Sequence, residues 1–99
     1  MRYYKDMKLN QSEVHDRLRS LSGWQLQGDT LIKEFTFKDF TAAFAFMTAA
    51  AKEAEAANHH PDWSNSYNKV RVTLSTHSEG GVTDKDVRLA EVMNRLADE

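Results

Sequence analysis

Between Lys69 and Ser75 the chain alternates without a break. Val70, Val72 and Leu74 are apolar, and Lys69, Arg71, Thr73 and Ser75 between them are polar. A strand sends successive side chains to opposite faces, so this segment belongs to a sheet with one buried face and one wet face. Such a sheet needs a single covering layer, and antiparallel hairpins build it most simply. The rest of a 99-residue chain must supply the partner strands and the cover.

The remaining segments fit that demand. Residues Met1 to Lys8 are read as a loose arm, with one domain over residues 9–99. Asn10 with Glu13 three positions on marks a helix start, and Leu9 and Val14 are spaced as a hydrophobic staple. Val14, Leu18 and Leu21 give that helix an apolar stripe, and Gly23 is its expected stop. Trp24 and Leu26 alternate with glutamines, Gly28-Asp29 is a turn signal, and Leu31, Phe35 and Phe37 share a face of the second strand.

From Asp39 the period becomes helical. Phe40, Phe44, Met47, Ala51 and Ala54 are read as the buried stripe of an alanine-rich helix, which Pro61 ends. Tyr67 and Asn68 are read as part of an earlier strand turning into the alternating one, Gly80-Gly81 forms a loop, and Thr83 with Asp86 caps a last helix with a Val82/Val87 staple. Val87, Ala90, Met93, Leu96 and Ala97 are its expected core stripe. The order helix, two strands, helix, two strands, helix predicts the α+β class: a four-stranded antiparallel sheet covered on one face by helices.

Composition narrows function by exclusion. The formal charge is −2, with no basic run, so nucleic acid is a poor partner. There is no cysteine, so thiolate chemistry and disulfides are excluded. No apolar run approaches a membrane span or a signal peptide, so the expected location is the cytoplasm, with no membrane partner. A domain this small buries a modest share of its surface, which favours self-association.

The chemistry-bearing residues are histidines. His59 and His60 follow the second helix, and His77 follows the alternating strand. Imidazole both gives and takes protons near neutral pH, so two separated groups could serve a small substrate as acid and base. Glu55 lies 11 residues after Phe44, about 20° from it around a helix, and one turn before His59, where it could orient an imidazole. Trp63 and Tyr67 could stack on a planar ring. Each has a plainer reading as well: His-His-Pro as a loop, Trp63 and Tyr67 as core or interface, Asp86 as a helix-start residue, His15 as an exposed side chain. A metal site is the weaker alternative, because adjacent histidines diverge in extended chain and no His-x-x-x-His pair is present.

The run Glu55-Ala-Ala-Asn-His-His-Pro-Asp-Trp63, with Tyr67-Asn-Lys-Val70 and Leu74-Ser-Thr-His77, closely resembles the pterin-4a-carbinolamine dehydratase family. Phe37-Lys-Asp-Phe40, Phe44-Ala-Phe-Met47 and the last helix from Thr83 extend the resemblance over about residues 20–97. It implies an α-β-β-α-β-β-α fold, homodimers or homotetramers built partly by strand-edge pairing, and dehydration of 4a-hydroxytetrahydropterin without metal or organic cofactor. It implies a link to an aromatic amino acid hydroxylase, whose spent pterin this step recycles. By position, His59 and His77 match the acid-base pair and His60 the residue that holds substrate. Glu55 and Asp86 match supporting acids, Trp63 a pocket-wall aromatic, and Ser75 and Thr76 a ligand-contacting segment. Asn58 and Ser78 stand where animal members carry acidic residues. The alternatives are a module that dimerises a transcription factor, as animal members do, and a dehydratase or binder of a different pterin.

Overall fold

The computed structural model describes residues 7–98, so Met1–Asp6 of the expected arm lie outside the described residues. Its elements are α1 (Gln11–Leu18), β1 (Gln25–Gln27), β2 (Thr30–Thr36), α2 (Phe40–Ala57), β3 (Asp62–Ser66), β4 (Lys69–Leu74), the 3₁₀ turn His77–Glu79, and α3 (Asp84–Ala97). The strands form one four-stranded antiparallel sheet, as predicted with the element order α-β-β-α-β-β-α, and the structure adds the strand order β1-β2-β4-β3.

Register explains the two faces. Leu26, Leu31 and Leu74 stand in one cross-strand row; Lys33, Val72 and Trp63 form the next; Phe35 and Val70 share the third. Leu31, Phe35, Val70, Val72 and Leu74 are all buried, and the helices cover this side. The opposite face carries Gln25, Glu34, Arg71, Ser64 and Lys69, all exposed. Directly opposed Glu34 and Arg71 put unlike charges side by side there.

Both predicted capping boxes are present. Asn10 Oδ1 accepts from the Glu13 amide at 2.8 Å, and Glu13 returns the bond to the Asn10 amide at 2.8 Å. At α3, Thr83 accepts from the Lys85 amide, and Asp86 Oδ2 accepts from the Thr83 amide at 2.9 Å. Each pair satisfies donors that the first helical turn leaves orphaned.

Two readings are corrected. The first helix ends at Leu18, five residues before Gly23. The amides of Arg19, Ser20 and Leu21 bond back to the carbonyls of Asp16, Arg17 and Leu18, so the chain tightens into three-residue turns. Leu21 still reaches the core, 1% exposed, by this route.

The larger correction is the facing of α2. Its buried residues are Ala43, Phe46, Ala50 and Ala54. Phe40 and Phe44, read as core, are 48% and 54% exposed and pack on each other with ring centroids 5.8 Å apart. Ala51 is exposed too, and Met47 lies between. An alanine-rich helix offers two apolar stripes, and the sheet selects the one whose small residues allow close approach. Phe46 then fits between Phe35 and Phe37, at 4.8 and 5.1 Å between centroids.

A polar hub joins α3 to the sheet. Asn94 Oδ1 accepts from Trp24 Nε1 at 2.9 Å and from Lys33 Nζ at 2.8 Å, while its amide donates to the Ser22 carbonyl. Lys33 Nζ also donates to that carbonyl and lies 4.4 Å from the Phe35 ring centroid. Burial pushes the Lys33 amine below its ordinary value, with Asp98 acting the opposite way. No helix among the described residues is long and apolar enough to cross a membrane.

Candidate active site

The geometry of the site begins with the end of α2. Asn58 adopts the left-handed conformation, φ 51° and ψ 42°, and the His59 amide bonds back to the Ala54 carbonyl at 3.0 Å. A left-handed residue just past a helix reverses the chain direction, and asparagine tolerates it better than most side chains. Two adjacent histidines therefore part company. The His59 side chain turns inward and is 10% exposed, while that of His60 is 57% exposed.

His59 meets α3. Its Nε2 lies 2.5 Å from Oδ1 of Asp86, whose side chain has no solvent exposure. Oδ2 of Asp86 accepts from the Thr83 amide and from the Thr76 hydroxyl, each at 2.9 Å. Thr76 Oγ1 in turn lies 2.7 Å from Thr83 Oγ1. The residue expected at the helix start caps α3 as predicted and also contacts an imidazole.

His60 Nε2 lies 2.9 Å from Glu55 Oε1. Glu55 does orient an imidazole, but it is the second histidine, and both partners are exposed because Glu55 shares the outward face of Phe44. His77 opens the 3₁₀ turn, its side chain 80% exposed and its Nε2 3.8 Å from Asp62 Oδ2. The three histidines therefore sit at one end of the molecule, where α2 and β4 end and β3 and α3 begin. The backbone joins His77 to Thr76, and Thr76 shares Asp86 with His59.

A hollow of about 250 Å³ opens beside His59, lined by Glu53, Ala57, His59, Lys85, Arg88, Leu89 and Val92. His60 and His77 do not line it. The sequence reading missed Lys85, Arg88, Leu89 and Val92. Their spacing of i, i+3, i+4 and i+7 marks one helical face, which lay unnoticed beside the more apolar core stripe.

Other candidates scatter. Trp63 stands opposite Val72 on the edge strand β3 and packs half-buried against the core. Thr76 is 5% exposed, with its hydroxyl turned inward to Asp86 rather than outward. Ser75 is half-buried and Ser78 exposed beside His77. Tyr67 is displaced altogether: it forms the β3–β4 turn with φ 51° and is 63% exposed. That turn is four residues along β3 from Asp62, roughly 13 Å from the histidine end. Within one copy of the chain Tyr67 therefore lies at the opposite end of β3 from Asp62 and His77.

Comparison with known proteins decides the family. The family model described as pterin 4 alpha carbinolamine dehydratase matches residues 7–96. The chain belongs to that family. Proteins of Brucella ovis and Brucella abortus, which carry the pterin-4-alpha-carbinolamine dehydratase name as a provisional assignment, are 50% identical over 92 residues. Those matches span 91% of this chain and 95% of each relative. A crystal structure described as a transcriptional coactivator/pterin dehydratase from Brucella melitensis superposes with a TM-score of 0.88 at 50% identity, covering 91% of this chain and 98% of that one. A pterin dehydratase-like protein identified as a RuBisCO assembly factor in the alpha-carboxysome aligns with a TM-score of 0.62 at 25% identity, over 75% of this chain and 86% of that one. The dehydratase fold thus carries more than one described role.

Proposed function

We propose that this member of the dehydratase family converts 4a-hydroxytetrahydropterin to quinonoid dihydropterin and water, with His59 and His77 as its acid-base pair. The observation that carries the reading is the His59–Asp86 pair: an imidazole beside a hollow, pinned by a fully buried carboxylate. Such an arrangement fixes the ring orientation and tautomer, which a diffusing imidazole lacks.

The reaction needs two proton movements. The hydroxyl on carbon 4a leaves as water once a histidinium protonates it and the carbon–oxygen bond breaks. The N5–H proton passes to a neutral imidazole, and its electron pair completes the new double bond. Positioned proton transfer of this kind contributes roughly 10²–10⁴-fold. In this reading His60, held by Glu55, contacts the substrate rather than moving protons. Asn58, Trp63, Ser75, Thr76 and Ser78 shape the surroundings. The expected setting is cytoplasmic recycling of tetrahydropterin beside an aromatic amino acid hydroxylase, without a metal or organic cofactor.

The test is a stopped-flow dehydration assay with enzymatically generated 4a-hydroxytetrahydropterin. An accelerated loss of the carbinolamine, abolished in His59→Ala, is the expected result. A rate equal to the uncatalysed one would end the proposal. A thermal-shift screen of reduced and oxidised pterins would then separate a binder of a different pterin from a protein with no pterin ligand.

A second reading rests on Phe40 and Phe44. An exposed aromatic pair on a helix that is otherwise alanine-lined is a surface suited to another helix. In this reading α2 and the open edge of β3 join copies of this chain into dimers or tetramers. Sedimentation velocity of the wild type and Phe44→Glu tests it, with a shift toward monomer expected in the variant. The same face could serve a transcription-factor partner, and a purely monomeric wild type that captures such a partner would favour that alternative.

A further inference from the structure

We infer that Thr76 is a positioning residue: with Thr83 and Asp86 it forms a one-directional hydrogen-bond chain that fixes His59 as the Nε2–H tautomer and leaves Nδ1 as its working nitrogen. The inference deepens the dehydratase reading and rests on it for the reaction, but not for the tautomer. It assigns to Thr76 a role distinct from ligand contact.

The direction of the chain follows from which groups can donate. A carboxylate only accepts. Both oxygens of Asp86 are engaged, so the Thr83 amide, the Thr76 hydroxyl and His59 Nε2 must each point a hydrogen at it. The Thr76 proton is thereby committed to Asp86 Oδ2. At the 2.7 Å contact between the two threonines, Thr76 can then only accept, and the Thr83 hydroxyl donates. Thr83 Oγ1 accepts from the Lys85 amide at 3.2 Å, which fills the other side of that oxygen. The order runs from the Lys85 amide to Thr83, to Thr76, to Asp86, and meets His59 arriving from the opposite side.

Burial makes this order binding. Thr76, Thr83 and Asp86 are 5%, 0% and 0% exposed, so water cannot substitute for a missing partner at low cost. Nε2 is consumed by Asp86. Among the described residues nothing bonds to Nδ1, and no buried side-chain nitrogen or oxygen lacks a partner, so Nδ1 reaches the hollow or solvent. Thr76 also precedes His77 in the chain. One hydroxyl therefore steadies the carboxylate that sets the tautomer of His59, and belongs to the residue whose backbone leads into His77.

The test is nitrogen-15 NMR of the His59 ring in the whole chain, at a pH where the imidazole is neutral, together with dehydration kinetics. Wild type is expected to show a protonated Nε2 and an unprotonated Nδ1. Thr76→Val keeps the shape and removes the hydroxyl: the tautomer preference should weaken and kcat fall about 10- to 100-fold, with KM moving far less. Thr76→Ser should restore the tautomer and the rate. A wild-type His59 that is Nδ1–H when neutral overturns the inference without any variant. So does a Thr76→Val protein that keeps both the wild-type ring signature and the wild-type kcat. A wild type with the Nε2–H signature but no dehydration of the carbinolamine removes the dehydratase reading and leaves the positioning role supported.

Discussion

His59 Nε2 and Asp86 Oδ1 stand 2.5 Å apart, one residue at the end of α2 and the other in the first turn of α3. The contact joins two helices that neither local propensity nor chain proximity brings together. It makes a helix-capping acid the partner of an imidazole as well.

Asp86→Asn should invert the ring. The Thr83 amide and the Thr76 hydroxyl both aim donors at Oδ2, so the amide oxygen is held there and the amide NH₂ faces His59. His59 Nε2 would then have to accept, which places the proton on Nδ1. The expected outcome is a switched nitrogen-15 tautomer signature and a loss of roughly 10²-fold or more in kcat, with the fold retained by circular dichroism.

The histidines should separate kinetically. His59→Ala and His77→Ala are expected to lower kcat strongly, within the roughly 10²–10⁴-fold scale of positioned proton transfer. His60→Ala and Glu55→Gln should act mainly on KM. The His60–Glu55 contact is solvent-exposed, so its loss should change stability by less than about 1 kcal/mol in urea unfolding. Stopped-flow kinetics of the four variants checks this, and near-normal rates in all of them would remove the assignment.

Gly23→Ala should destabilise by roughly 1–3 kcal/mol through two causes. Its φ is +84°, and an added Cβ would fall 2.7 Å from Lys33 Cε and 2.9 Å from Nζ. Lys33 would have to leave Ser22 and Asn94. Gly28→Ala, at φ +61° with nothing within 4 Å, should cost only the conformational part. In a double-mutant cycle by urea unfolding, Lys33→Ala should recover the steric part at Gly23 and none at Gly28.

Lys33 should also leave a signature in alkaline stability. Its native amine titrates below the ordinary lysine value of 10.5 because burial disfavours the charge. Between that lowered value and 10.5 the unfolded chain holds more protons at this site than the folded one, so its contribution to stability rises with pH there. Below the lowered value the burial penalty is fully present, and above 10.5 it is gone. The stability difference between wild type and Lys33→Met, followed by urea unfolding from neutral pH to pH 10.5, should therefore change in favour of wild type. A difference that stays flat would contradict the burial of this amine.

The element order, both capping boxes and the inward set Val70, Val72 and Leu74 were legible because each depends on near neighbours and on a period of 2 or 3.6. The candidate histidines were legible as a set of residues. Their contacts were not. Glu55 lies one turn from His59 yet bonds His60, because the left-handed Asn58 rotates the next two side chains to different sides. Thr76 sits beside a candidate histidine yet faces inward, because Asp86 offers a buried acceptor ten residues later. Such partners are distant in sequence and leave no period to read.

By itself the sequence determined which segments become helix and strand, which sheet face is apolar, and which side chains could move protons at neutral pH. Those properties follow from backbone sterics, local hydrogen bonding and side-chain pKa. Only the tertiary structure decided that α2 buries Ala43 and Phe46 while Phe40 and Phe44 face outward, and that one buried carboxylate holds His59 while His60 stays wet. Those outcomes depend on how closely two surfaces can approach and on which buried polar groups find partners, and both are settled only when the layers meet.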